Sequence, residues 1–156
     1  MTEIAVRAER VVPGTPQDVW AVVDDPAAMG RWFAFADRME LVEGAGLGRR
    51  QRLYGHWGRK QSEIDQRVVE YDAGRRLAWE HVAERLDGRP APRFAASTLF
   101  RLTLEPADGG CLVRLESRQV PASWWRGAAI RLFGVREVRQ RLRQSIDRLA
   151  TVLAPT

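Results

Sequence analysis

Two histidines, His56 and His81, are the side chains of this chain that change charge near neutral pH, and both lie in stretches that alternate like β-strands. His56 stands beside Trp57, and His81 follows Trp79 and Glu80. Alternation puts Trp79 and His81 on one face and Glu80 on the other, so an inward tryptophan carries the histidine inward with it. The same rule groups Gln51, Leu53, Gly55 and Trp57 and leaves Arg52, Tyr54 and His56 opposite. His81 then either points into an internal space or occupies a strand edge or the surface. Gln66 falls between Ile64 and Val68 on a face expected to be buried, and Ser117 and Gln119 continue the face of Val113 and Leu115. A buried polar group left unpaired costs about 1–3 kcal/mol, so such groups bond backbone, water or a ligand. A few of them in an apolar hollow is the composition of a small-molecule site.

Other chemistries find no support. Gly44, Gly46 and Gly48 superficially suggest a phosphate loop, but a strand comes after them, whereas a dinucleotide fingerprint must open a helix. The HExxH, GxSxG, CxxC and P-loop motifs are absent. With one cysteine and two histidines a conventional zinc site would need carboxylates to complete it, so neither metal nor cofactor is expected. The Asp24-Asp25 pair reads as helix capping, not as an acid/base dyad.

The elements that would position these residues emerge from periodicity. Residues 2–12 alternate as a strand, and Thr15-Pro16-Gln17-Asp18 is a helix start with its N-cap, first-position proline and acid. A second start at Asp25-Pro26 runs to about Trp32, giving two short helices with a kink. From residue 37 the period is two: strands over 37–43 and 48–58, 62–71 and 76–85, then near 94–105 and 111–119. Glycine-bearing turns join the pairs, and a looser connection spans Leu86 to Pro92. Hairpin spacing with no intervening helix means an antiparallel sheet. From Ser123 to about Leu153 the period returns to 3.6, with Trp125, Ala128, Leu132, Val135, Val138, Leu142, Ile146, Leu149 and Leu153 in one stripe. Such a helix is roughly 45 Å long and can cross a whole sheet. The fold class is α+β: a seven-stranded curved antiparallel sheet, two short helices and one long C-terminal helix. One helix laid across a bent sheet touches it along a line, so a cavity is expected beside it.

A chain of 156 residues suits one domain, 1–156, with a real core. The single Cys111 fits a reducing compartment, and the N-terminus has no signal-peptide pattern, so a cytoplasmic location is expected. No stretch approaches the roughly 18 apolar residues of a spanning helix, which leaves transient membrane contact as the available kind. Lys60 is the only lysine among 25 basic residues, a ratio that reflects compositional bias rather than selection for phosphate contacts. Arginines also alternate with acids, as in Glu63, Asp65, Arg67, Glu70, Asp72 and Arg75, so no specific nucleic acid is expected as partner.

Several strings are similar to those of a known family: Pro16-Gln17-Asp18-Val19-Trp20, Asp25-Pro26 leading to Arg31-Trp32, and Gly46-Leu47-Gly48-Arg49. Arg75-Arg76-Leu77-Ala78-Trp79 and Gly109-Gly110-Cys111-Leu112-Val113 extend the likeness over essentially the whole chain. The sequence resembles the START/Bet v 1-like (SRPBCC) superfamily, and within it the bacterial polyketide cyclase/dehydrase and lipid-transport branch. The resemblance implies a helix-grip fold, but its motifs are helix starts, turns and core positions that specify no activity. It places Trp32, Phe33 and Phe35 at a cavity mouth, although the same aromatics could plug the end of the core.

The expected function is binding, sequestration or transfer of a small hydrophobic or aromatic molecule by a monomer or homodimer. The candidate contacts are the aromatics Trp32, Phe35, Trp57, Trp79 and Trp125 and the polar Gln66, His81, Arg101 and Ser117. A polyketide aromatase/cyclase or dehydrase is the first alternative. There Arg101, Tyr54, His81, Gln66 and Glu80 supply residue types for folding a poly-β-keto chain and moving protons. A co-chaperone or ribosome-associated interaction protein is the second. Duplex DNA should bind only weakly and without sequence preference, with gel-shift affinities far from nanomolar at physiological salt.

Overall fold

A computed structural model describes residues 2–91 and 95–155, and among them all side chains but those of Leu132 and Phe133. Three positions named above, Pro92, Phe94 and the Leu132 side chain, therefore lie outside the described residues.

Strand β1 (Ile4–Val12) buries Ile4, Val6, Ala8 and Val12. Helix α1 (Pro16–Val23) starts in a full capping box: Thr15 Oγ1 accepts from the Asp18 N–H at 3.2 Å, and the Asp18 carboxylate accepts from the Thr15 N–H at 2.9 Å. Asp25 caps a short 3-10 turn (Pro26–Ala28) by accepting from the Ala27 N–H at 3.0 Å. Helix α2 (Met29–Trp32) comes directly after it. Only glycine fits at position 30, because a Cβ there would stand 2.3 Å from the Asp37 carbonyl oxygen.

The sheet comprises β1, β2 (Arg38–Glu43), β3 (Arg50–Trp57), β4 (Lys60–Asp72), β5 (Arg76–Leu86), β7 (Ala95–Ala107) and β8 (Gly110–Pro121). It runs β1-β8-β7-β5-β4-β3-β2, antiparallel throughout, with a two-residue β6 (Arg89–Pro90) paired to β5. The connection after Leu86, expected to be loose, turns tightly through Asp87 at φ 49° and Gly88 at φ 79°. Both central residues have positive φ, which is the hairpin geometry that an Asp-Gly pair favours. The Asp87 carboxylate fixes this turn to the neighbouring hairpin by accepting from the Gln61 N–H at 2.9 Å.

The long C-terminal helix expected over 123–153 is present from Trp124 to Leu153, but it is not uniform. It begins as α3 (Trp124–Ala129), widens to one π turn (Ile130–Gly134) and continues as α4 (Val135–Leu153). A π turn inserts residues into the 3.6 repeat and rotates one side of the helix against the other. The first half of the stripe is accordingly displaced. Trp125 and Ala128 are exposed, whereas Gly127 and Ile130 are buried. Val135 and Val138 are half-buried, and the second half holds, with Leu142, Ile146 and Leu149 fully buried.

Helix α4 packs on β1, β8 and α2. It therefore covers one side of the concave face and leaves β3, β4 and β5 to other groups. An aromatic cluster fills part of that space, in which the Phe33 ring meets Trp32, Phe35, Trp79 and Phe100 at centroid distances of 5.3, 5.0, 5.5 and 5.3 Å. Since Leu142 is wholly inside this packing, Leu142→Ala should cost about 2–5 kcal/mol in denaturant melts. A loss below about half a kcal/mol, the range of surface substitutions, would show that α4 is not seated there.

Candidate functional site

Beside α4, over β3, β4 and β5, a half-open pocket of about 250 Å³ remains. Its apolar wall is Phe33, Phe35, Leu53, Ile64 and Phe100, and its polar wall is His56, Ser62, His81, Glu84, Arg85 and Arg141. Trp57, Leu86 and Ala91 complete the lining. The loop after α2 that carries Phe33 and Phe35 is held to α4 by Ser145, whose Oγ accepts from the Ala34 N–H at 2.9 Å and donates to the Arg141 carbonyl at 2.8 Å. Ser145 is fully buried and had no distinguishing sequence signal, since a serine on a helix is common.

Both histidines of the chain reach this pocket, each with a carboxylate at Nδ1. His81 Nδ1 lies 2.9 Å from Glu84 Oε1, and its ring sits 5.9 Å from Phe100. His56 Nδ1 faces the Asp37 carboxylate at the rim. Strict alternation would send Glu84 to the outer face. The ladder shows why it does not: Gln66 pairs with His81 but Asp65 pairs with Ala83, so Val82 is an extra residue in β5. This bulge swaps the faces and brings Glu84 round beside His81.

Outside the pocket lining a buried polar chain links the end of α1 to β3 and β4. Arg49, only 5% exposed, donates through Nη1 to the Asp24 carboxylate at 2.8 Å and to the Asp24 carbonyl at 2.9 Å. Its Nε donates to Gln51 Oε1 at 3.1 Å, and Gln51 Nε2 donates to Gln66 Oε1 at 3.0 Å. Tyr71 donates its hydroxyl to the same Asp24 carboxylate at 2.8 Å; burial, reinforced by that carboxylate, pushes the phenol upward. Asp24 caps α1 as expected and also neutralises a buried arginine, which sequence reasoning missed. Gln66 Nε2, Trp32 Nε1 and Trp79 Nε1 are buried donors without a protein acceptor among the described residues. A ligand oxygen or an ordered water can complete such groups.

The candidate residues thus separate. Phe35, Trp57 and His81 line the pocket together. Trp32, Trp79, Gln66 and Ser117 are inward as expected but belong to the packed core outside the pocket lining. Arg101 alternates away from Phe100 and Leu102 and donates to Glu70 at 2.7 Å, so it is turned from the pocket. Trp125 is 52% exposed on α3, displaced by the π turn, and does not line the pocket. Cys111 is buried and its thiol is pushed up by burial, which disfavours the reactive thiolate. Among the described residues no group of three or more His, Cys, Asp or Glu side chains is arranged to hold a metal ion.

A curved antiparallel sheet gripping a long C-terminal helix, with the pocket between them, defines a helix-grip domain of the Bet v 1-like class. The model of the family described as polyketide cyclase/dehydrase and lipid transport matches residues 3–154, and the chain belongs to that family. Among solved structures, TTHA0849 from Thermus thermophilus is similar at 16% identity and TM-score 0.75, covering 96% of this chain and 97% of its own. Ara h 8.0201 is similar at 16% identity and TM-score 0.74, covering 97% and 98%. A Rhodobacter sphaeroides protein reaches 23% identity at TM-score 0.65, covering 96% and 91%. No curated protein matches the sequence. At these identities the likeness shows the fold.

Arg85, on the polar wall, has an acid-sensitive anchor. Its guanidinium, aided by that of Arg52, holds the Asp65 carboxyl down at about 2 from an ordinary 3.8, against the opposing effect of burial. A carboxyl lowered on folding stabilises the protein at pH above its ordinary value, and that contribution is lost as pH falls toward about 2. Allowing for partial exposure, the anchor contributes about 1–2 kcal/mol. Asp65→Asn should lower stability near neutrality and flatten the acid limb of a stability–pH curve below about pH 4. An unchanged limb would show that the pair contributes nothing.

Proposed function

We propose that the chain binds a small hydrophobic or aromatic molecule in the pocket beside α4, to sequester or transfer it. The observation that carries this reading is the wall of Phe33, Phe35, Leu53, Ile64 and Phe100 facing a few convergent polar groups. The volume, about 250 Å³, lies just below the usual range for drug-sized ligands and suits a small ring system or one end of a larger molecule. Aromatic walls give such a ligand rigid apolar contact area. Polycyclic aromatic probes should quench tryptophan fluorescence saturably, with Kd on the order of micromolar. Ile64→Trp should fill the pocket and abolish that binding while leaving the melting temperature close to wild type. Probe binding that survives the filled pocket, or no binding across a broad set of apolar probes, defeats the proposal.

His81 supports a second reading, as an enzyme of the cyclase or dehydrase kind. A carboxylate at Nδ1 fixes the tautomer and leaves Nε2 free to take a proton from a bound molecule. In that case His81→Gln abolishes turnover of a β-keto substrate while probe affinity persists. Equal turnover in the variant removes His81 from the chemistry. Replacing Gln66 by leucine tests neither reading, because it strips the Gln51 amide of its acceptor and should cost about 1–3 kcal/mol of stability.

A further inference from the structure

The chain's net charge is concentrated in one place. Residues 124–148 hold seven arginines and two acids, so this segment carries the whole formal +5 and the other residues balance. On the sheet, many arginines are neutralised locally, Arg52 and Arg85 by Asp65, Arg67 by Glu80, Arg101 by Glu70, Arg114 by Glu9 and Arg118 by Glu3, while Arg7 and Arg50 have no carboxylate in ion-pair reach among the described residues. On the C-terminal segment the pattern changes. Arg131, Arg136, Arg139, Arg143 and Arg148 have no carboxylate in ion-pair reach among the described residues, and all five are exposed. Arg136, Arg139 and Arg143 have i, i+3, i+7 spacing and form one stripe along a flank of α4, where Arg143 borders Arg7, Ala8, Glu9 and Arg114 of β1 and β8. Like charges spaced this way repel, so folding gives no reason for their arrangement.

Immediately before this stripe the chain exposes two adjacent tryptophans. Trp124 is 80% exposed and Trp125 52%, with the Arg126 guanidinium 5.2 Å above the Trp125 ring. They come just after the end of β8, which the ladder places at the same end of the sheet as the ends of β5 and β3, where Leu86 and Trp57 line the pocket. Trp57 is itself 59% exposed. Exposed tryptophans flanked by arginines are the composition of a surface that sits in lipid headgroups: the indole takes the boundary layer and the guanidinium the phosphates.

We propose that α3 and the arginine-bearing flank of α4 dock on the surface of an anionic lipid bilayer, with Trp124 and Trp125 in the interface and Arg136, Arg139 and Arg143 against the headgroups. Among polyanions the exposed tryptophan pair favours a bilayer over a nucleic-acid duplex, whose base faces are stacked away from such side chains. No helix of the described residues is long and apolar enough to cross a membrane, so the contact is peripheral and reversible. The tryptophan pair lies at the end of the sheet that carries Trp57 and Leu86 of the pocket lining, which would let an apolar ligand pass between bilayer and pocket with little exposure to water. The docking itself needs no ligand and does not rest on the ligand-binding proposal.

Flotation with ligand-free protein tests it. Phosphatidylcholine vesicles containing about one third phosphatidylserine should carry the protein upward, and pure phosphatidylcholine vesicles should not. The triple exchange Arg136→Gln, Arg139→Gln and Arg143→Gln relieves repulsion on an exposed face, so it should fold and lower partitioning roughly a hundredfold. Acyl-brominated lipid should quench the tryptophan fluorescence of the unaltered protein, and Trp124→Ala with Trp125→Ala should remove that quenching and about tenfold of the affinity. Equal partitioning onto neutral and anionic vesicles, or none onto either, overturns the proposal. So does a duplex or single-stranded oligonucleotide that strips the protein from vesicles at equal phosphate concentration in physiological salt.

Discussion

The interaction on which the arrangement most depends is the buried ion pair of Arg49 and Asp24. A guanidinium taken out of water is tolerated only when its charge and its donors are met, and leaving it unpaired would cost several kcal/mol. Asp24 meets the charge with its carboxylate and takes the Nη1 donors with carboxylate and carbonyl, and Gln51 takes the Nε donor. Because Asp24 is also the last cap of α1, this bond fixes where α1 ends over the sheet and so where the 3-10 turn and α2 must lie. The loop that α2 leads into carries Phe33 and Phe35, one wall of the pocket. A charge pair at the start of β3 thereby sets an apolar wall several residues away.

Placement of α4 provides the complementary constraint. Its buried face is taken up by β1, β8 and α2, and Ser145 ties the Phe33–Phe35 loop to it from the inside. The sheet is too broad for one helix to cover, so the remaining concave face is filled partly by aromatic rings and partly left as the pocket. Trp32 and Trp79 do much of the filling, so these two tryptophans are core residues while Phe33, Phe35 and Phe100 face the space that remains.

Charge is distributed by the same logic. On the sheet, cross-strand neighbours stand close enough for arginine and carboxylate to pair, and the alternating acids supply a partner for each of several arginines. Along α4 acids are scarce, and Glu137 and Asp147 are committed to Arg141 and Arg10. Net charge alone therefore misdescribes the molecule: it is a balanced sheet carrying a strongly basic helix.

Much of this was legible from residues alone. Capping residues at Thr15 and Asp25, the change of period at residue 37 and its return at Ser123 are local signals, set by backbone hydrogen bonding and side-chain spacing, and they determined the order and type of the elements. Alternation also placed Trp79, Gln66 and Ser117 on the inner face, because two-residue periodicity is a property of any strand. The pocket required the tertiary structure. A single extra residue at Val82 turned Glu84 inward beside His81, and one π turn turned Trp125 outward, and neither insertion has a local signature in the sequence. Inward residues, moreover, divide into pocket wall and packed core only according to where α4 comes to rest. That position is decided by contacts between segments more than a hundred residues apart, such as Ser145 with Ala34, and no window of sequence contains both partners.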